Sequence, residues 1–271
     1  MSELVPGSGR RPSELSDSAG QPWAGRMLKA NPFAGDDGSV TESMAAALAQ
    51  TDPARRLLDV VAELRTGRVL VPVVAHSHPG TEDGEVARHE KQISGDAQAD
   101  AVASAASVTV ATPDGRAALP AFSSYDAMRA WDPSARPVPV EGTRAAASAT
   151  QTEDQILVVD PGSERPVLVG RPAVGAVAAG EEWVPPWEDE DLPTAVTSAL
   201  RGSSNILGVR LEAGVRAELR VVLAVRPGFD RAGLEAELAR VSERLGELEE
   251  LRHRVDSLEL YPALVADDQT G

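Results

Sequence analysis

The sequence predicts an α+β fold, with a mixed-sheet N-terminal domain followed by a smaller β-β-α-β C-terminal domain. Three observations predict it. Helical and strand-like periodicities both occur along the 271 residues, but they do not alternate strictly, which argues against a doubly wound sheet. Gly202-Ser203-Ser204 separates a long first region from a short last one. Beyond that stretch come two alternating apolar runs, one long amphipathic run and a third apolar run.

The elements follow in order. Residues 1–38 are rich in Gly, Ser, Pro and charge with little periodicity, and are expected to form a disordered arm ending in a clip from Asn31 to Gly38. Met44, Leu48, Leu57, Leu58, Val61 and Leu64 recur at helical spacing, and Pro53 divides them into two helices. Asp52 is the expected N-cap of the second helix, Pro53 its first residue and Gly67 its stop. Val69 to Val74 reads as a strand near a sheet edge, because Pro72 cannot donate to a ladder. Residues 76–103 read as an acidic insertion without period.

Ser107 to Thr112 alternates, turns at Pro113-Asp114-Gly115, and returns as a partner strand from Arg116 to Phe122. Ser123 is the expected cap of a short helix reaching Trp131, with Asp126 completing the capping pattern. An Ala-rich helix is expected over 142–151, strands at Ile156–Val159 and Val167–Val169, a helix over 172–179, and another ending near Leu200. These elements define an N-terminal domain over 39–201. The C-terminal domain, 205–262, has strands at Ile206–Glu212 and Ala217–Val225 and a last strand at Val255–Leu260. Its long helix begins after Asp230 and runs to about Arg254, with Phe229 placed to staple against Leu234. Residues 263–271 read as a flexible tail.

Composition narrows the function classes. Against 26 basic residues stand 42 acidic ones, and the net charge of −16 opposes binding to nucleic-acid backbones or anionic membranes. Cysteine is absent, which removes disulfides, thiol catalysis and cysteine-ligated metal sites. No apolar stretch approaches the roughly 20 residues needed to span a bilayer, and no secretory leader is visible, so the expected location is cytoplasmic. No Walker A, dinucleotide-binding or nucleophile-elbow sequence is present.

Several segments are similar to the SseB-like family. The hallmark stretch runs from Leu119-Pro120-Ala121-Phe122 through Tyr125 and Trp131-Asp132-Pro133 to Arg136-Pro137-Val138-Pro139-Val140. Arg171-Pro172-Ala173 and Gly180 through Trp183 to Pro186 fit the same N-terminal domain, and Val255-Asp256 before the last strand resembles the family's C-terminal domain. The Asn31–Gly38 clip resembles the longer bacterial members, so the resemblance spans most of residues 27–262. It implies an α+β domain followed by a smaller one, and it brings no catalytic residue, substrate or cofactor.

Each remaining motif has a chemical and a plainer reading. His76-Ser77-His78, with His89 and the acids Glu82, Asp83, Glu85 and Glu90, could assemble a zinc or nickel site. The plainer reading is exposed imidazoles in an insertion with nothing to preorganise them. Asp36-Asp37-Gly38 lacks the alternating ligands of a calcium loop, and Asp37 or Ser39 as a helix cap explains it better. Glu188 to Asp191 suits either a basic partner or the first turn of the next helix. Trp183-Val184-Pro185-Pro186-Trp187 either meets a polyproline-type partner or fastens a loop to the core. Leu234, Leu238, Val241, Leu245 and Leu248 form a short seam that either packs on the preceding strands or supports self-association.

The expectation is therefore a non-enzymatic interaction or regulatory protein with an unidentified protein partner. No catalytic residue, cofactor or metal is expected, His76, His78 and His89 being the sole metal candidates; no membrane or nucleic-acid partner is expected, and a homo-oligomer stays open. Two alternatives stay open beside it. One is an enzyme or metabolite sensor linked to amino-acid metabolism, with a pocket at Arg136, Arg171 or Trp183. The other is an RNA- or ribosome-associated factor using Arg10, Arg11, Arg26 and Lys29 of the arm.

Overall fold

The computed structural model describes residues 32–73 and 108–264. The chain first forms α1 (Glu42–Ala49) and α2 (Pro53–Thr66). Thr41 caps α1 by accepting from the Met44 amide, and Asp52 caps α2 by accepting from Ala54. Pro53 opens α2 and Gly67 closes it, as the sequence predicts, whereas the cap of α1 is Thr41 rather than Asp37 or Ser39. Asp36 and Asp37 instead accept from Gly38 and Ser39, and Asp36 pairs with Arg68.

Strands β1 (Arg68–Val73) and β4 (Arg136–Glu141) form an antiparallel pair in which Pro72 faces Pro137. Neither proline has an amide to donate, so this pair tolerates them where a central ladder would not. A single bridge between Leu70 and Phe122 connects the pair to a four-stranded sheet. That sheet has the order β2 (Val110–Ala111), β3 (Ala117–Ala121), β5 (Ile156–Val159), β6 (Val167–Val169). Only β3 and β5 run parallel, so the sheet is mixed.

Between these strands lie α3 (Tyr125–Trp131) and α4 (Gly142–Ala149), and α5 (Arg171–Ala179) follows the last of them. Ser124, not Ser123, caps α3. Ser123 is taken up elsewhere: its amide and hydroxyl both donate to the buried Asp160 carboxylate, at 2.8 and 2.7 Å. Asp160 holds a left-handed φ of 52° at the end of β5, and this double hydrogen bond compensates for the backbone strain.

The first core gathers one face of the four-stranded sheet, including Leu119, Ala121, Leu157, Val159 and Val169, beneath α2, α4 and α5. Its α4 approaches α2 so closely that the Gly142 amide donates to Gly67 O at 3.0 Å. A Cβ at Gly142 would lie 2.0 Å from Leu64 O.

The last region is a second sheet, β7 (Ile206–Ala213), β8 (Leu219–Val225) and β9 (Leu258–Leu264), with β8 antiparallel to β7 and parallel to β9. The expected long helix is two helices, α7 (Arg231–Glu247) and α8 (Glu249–Arg254), because Leu248 leaves helical geometry at ψ 113°. Asp230 caps α7 as predicted. Val241 and Leu245 are buried on the sheet, with Leu234, Leu238 and Leu248 packed beside them, so the leucine seam faces the second core. Leu192, Val196 and Leu200 of and just after α6 (Leu192–Ala199) join that same core. Trp187 packs against both cores, and Trp183, in the first core, meets it edge-on at 5.9 Å. Among the described residues no helix is long and apolar enough to cross a membrane.

The α2–α4 contact gives a direct test. Gly142→Ala must push Leu64 and the end of α2 aside, and should destabilise the chain by about 3 kcal/mol in urea unfolding. An unchanged midpoint would refute the close approach.

Candidate functional site

The four-stranded sheet has a second face, and the pleat decides what lies on it. Val110, Ala118, Ile156, Val158 and Leu168 point away from the first core and form a small apolar cluster of their own. Ala118 and Ile156 are fully buried, while Val110, Val158 and Leu168 line an open groove of about 1040 Å³. Trp131, Pro161 and Gly162 bound the groove, together with Trp187, the first turn of α2 and the β7–β8 turn from Ala213 to Glu218. Asp256, Ser257 and Leu258 complete the wall formed by the second sheet.

A polar seam joins the two sheets along this groove. Arg116, at the start of the β3 return, donates through Nη1 and Nη2 to the two oxygens of Asp256 at 2.9 and 2.8 Å. Its Nε donates to Asp114 at 2.8 Å, so each guanidinium nitrogen holds a carboxylate oxygen. The Asp256 side chain is 2% exposed, and the Arg171 amide also donates to it, at 3.2 Å. Its own amide donates to Glu218 Oε2 at 2.6 Å. Gly170 is required here, because a Cβ would sit 2.6 Å from the Asp256 Cβ and 3.1 Å from Glu218 Oε1.

The carboxyls of the seam are unlike one another. Burial pushes Glu218 up to about 7, reinforced by the neighbouring charge of Asp256 and opposed by the Asp256 amide, Arg171 and Arg116. Its Oε1 is buried without a hydrogen-bond partner. Asp114 is held below the usual carboxylate range by the Thr112 hydroxyl and Arg116.

This arrangement bears on chemistry. A carboxyl near neutrality in a cleft is the usual mark of an acid–base catalyst. Glu218 fits it poorly, because Oε2 is engaged and Oε1 packs against the Gly170 backbone rather than opening on the groove. The two hydroxyls at the groove are also occupied. Thr112 Oγ1 donates to Asp114 and also reaches Arg116 O at 3.0 Å, and Ser257 Oγ accepts from the Glu218 amide at 3.1 Å. Asp114 is too weak a base to activate Thr112.

The residues singled out in the sequence fall elsewhere. His76, His78 and His89 lie outside the described residues, as do Arg10, Arg11, Arg26 and Lys29. Among the described residues no group of three or more His, Cys, Asp or Glu could hold a metal ion. Arg136 is exposed at the start of β4 and Trp183 lies in the first core, both away from the groove; Arg171 meets the seam through its amide. The acidic run serves its helix: Asp189 accepts from the amides of Asp191 and Leu192 and pairs with Arg254 at 2.9 Å. Arg56 and Glu218 carry no local pattern that marks them, and Val255-Asp256 stood out only through the family resemblance. The legible local hint is Asp114 and Arg116 flanking a turn glycine.

The fold thus defines an α+β protein with an apolar groove between two sheets and a carboxylate–guanidinium seam at its edge. The family model for the SseB protein N-terminal domain matches residues 41–176, and the chain belongs to the SseB family. The matched region includes the groove floor and Arg116, and it ends before the β7–β8–β9 sheet and Asp256. No curated protein and no solved structure matches the chain.

Two outcomes test the seam. Glu218 is protonated in both states below about pH 4.5, whereas between about 4.5 and 7 only the unfolded chain ionises it. Stability should therefore fall as pH rises across that window, by about 3 kcal/mol, and level off above it. The difference curve between the wild type and Glu218→Gln isolates this slope; a flat difference would contradict it. Separately, Arg116→Ala leaves Asp256 buried and poorly paired, and should lower stability by about 3–5 kcal/mol. The Arg116→Ala, Asp256→Asn double variant should recover part of that loss in the same unfolding assay.

Proposed function

We propose that this SseB-family chain acts by binding rather than by catalysis, and that its groove takes an extended segment of a partner protein. The observation that supports this best is the second face of the four-stranded sheet. Val110, Val158 and Leu168 remain as an apolar floor, flanked by two tryptophans and unfilled by the chain's own described side chains. At about 1040 Å³ the groove lies at the upper end of small-ligand sites, and it is partly open to solvent. Val215, 75% exposed on the β7–β8 turn, places a further apolar side chain at its mouth. The polar groups of the seam bind one another, which favours a structural wall over a reacting centre.

The division into a 39–201 body and a 205–262 body belongs to this reading, with α6 packed in the core of the second: the groove would lie where they meet. Cytoplasmic location fits it as well, and neither nucleic acid nor membrane is proposed as a partner.

A photo-crosslinking residue in place of Val215 should capture a partner that the same residue at Val184 does not. Val184 is 59% exposed but lies off the groove, so it controls for exposure alone. Leu168→Glu, on the floor, should cut that capture by about tenfold or more, corresponding to about 1.4 kcal/mol. Equal adducts at both positions, or turnover of a metabolite by the purified chain, would refute the reading.

A further inference from the structure

Arg56 is the unusual side chain of the groove. It stands in the first turns of α2 and lines the groove beside Pro53, Ala54 and Leu57. Its Nε is buried without a hydrogen-bond partner, and its side chain makes no ion pair among the described residues. Burial, and then the positive charge of Arg165, lower its proton affinity from the ordinary arginine value. Arg165 immediately precedes the groove residues Pro166 and Val167, and its one hydrogen bond is from Nη1 to Gln50 O at 3.2 Å.

The chain carries 42 acids against 26 bases, so two neighbouring arginines without a carboxylate need a reason. The nearby acids are engaged elsewhere. Asp52 accepts from the Ala54 amide at 3.0 Å, and Asp59 takes Arg55 and the Gln50 side chain, each at 2.9 Å. Glu164, next to Arg165 in sequence, pairs with neither arginine. Bringing two guanidinium groups together is unfavourable unless an anion lies between them, and their planar forks match a carboxylate.

We propose that Arg56 and Arg165 form an anion site at one end of the groove, which receives a carboxylate of the bound partner segment. A carboxylate suits the site better than a phosphoryl group. Phosphate sites draw on several free backbone amides, and at the start of α2 Pro53 has none while those of Ala54 and Arg56 are taken by Asp52. The inference rests on the groove as the partner's seat and adds the chemistry that the partner must carry.

The test titrates the full chain with sodium acetate and, separately, with inorganic phosphate at constant ionic strength, following arginine side-chain Nε resonances. Acetate should give saturable shifts at Arg56 and Arg165, and none at Arg231, whose side chain is 93% exposed. Arg165→Gln, on an exposed side chain, should weaken the acetate response at Arg56 by about tenfold while leaving the unfolding midpoint in place. No saturable shift at Arg56, an equal shift at Arg231, or phosphate binding about tenfold tighter than acetate would each overturn the assignment. Crosslinked partner at Val215 without an anion response would sink this inference alone. An anion response without a captured partner would leave the site standing and remove the partner-segment reading.

Discussion

Asp256 holds the relation between the two sheets in place. It sits between α8 and β9 with a side chain 2% exposed, and it receives both Nη groups of Arg116 from 140 residues earlier. A carboxylate so deeply buried is tolerable only because charge and hydrogen bonds surround it. The Arg171 amide adds a third donor, and Gly170 permits the approach by having no side chain. Without the ion pair the carboxylate would keep the Arg171 amide but lose its paired guanidinium. The wall of the groove follows from this one contact.

The groove exists because the four-stranded sheet is used unevenly. One face carries Leu119, Leu157, Val159 and Val169 into a core roofed by α2, α4 and α5. Among the described residues the opposite face meets only the first turn of α2 and the end of α3 at its border, and its cluster of Ala118, Ile156 and Val158 is protected in part. The β7–β8 turn and Asp256–Leu258 stand over it as a wall rather than a lid. Sheets with both faces apolar normally carry layers on both sides. Among the described residues the second layer covers only part of this face, and the uncovered part is the floor of the groove.

How much of this was legible in the sequence depends on how local each cause is. The caps at Asp52 and Asp230, Pro53 at the start of α2 and Gly67 at its end are all short-range and were readable. The break at Leu248 was not, because its neighbours keep a helical spacing of apolar residues and only the backbone reveals the change. Ser123 and Ser124 are chemically equivalent caps on paper. What separates them is Asp160, 37 residues on, which claims Ser123. The groove was least legible of all. Arg56 and Arg165 are ordinary surface residues in sequence, and Glu218 acquires its unusual proton affinity only from burial beside Asp256.

The separation of Arg116 from Asp256 also has a consequence during synthesis. The floor of the groove and one partner of the ion pair emerge from the ribosome well before the other, and at about 5–20 residues per second the delay is roughly 7–28 s. From the emergence of Leu168 to the end of that interval, Val110, Val158 and Leu168 stand without their wall. The nascent chain thus presents the same apolar strip that the finished protein keeps in its groove, and a chaperone that shields such strips would meet it first.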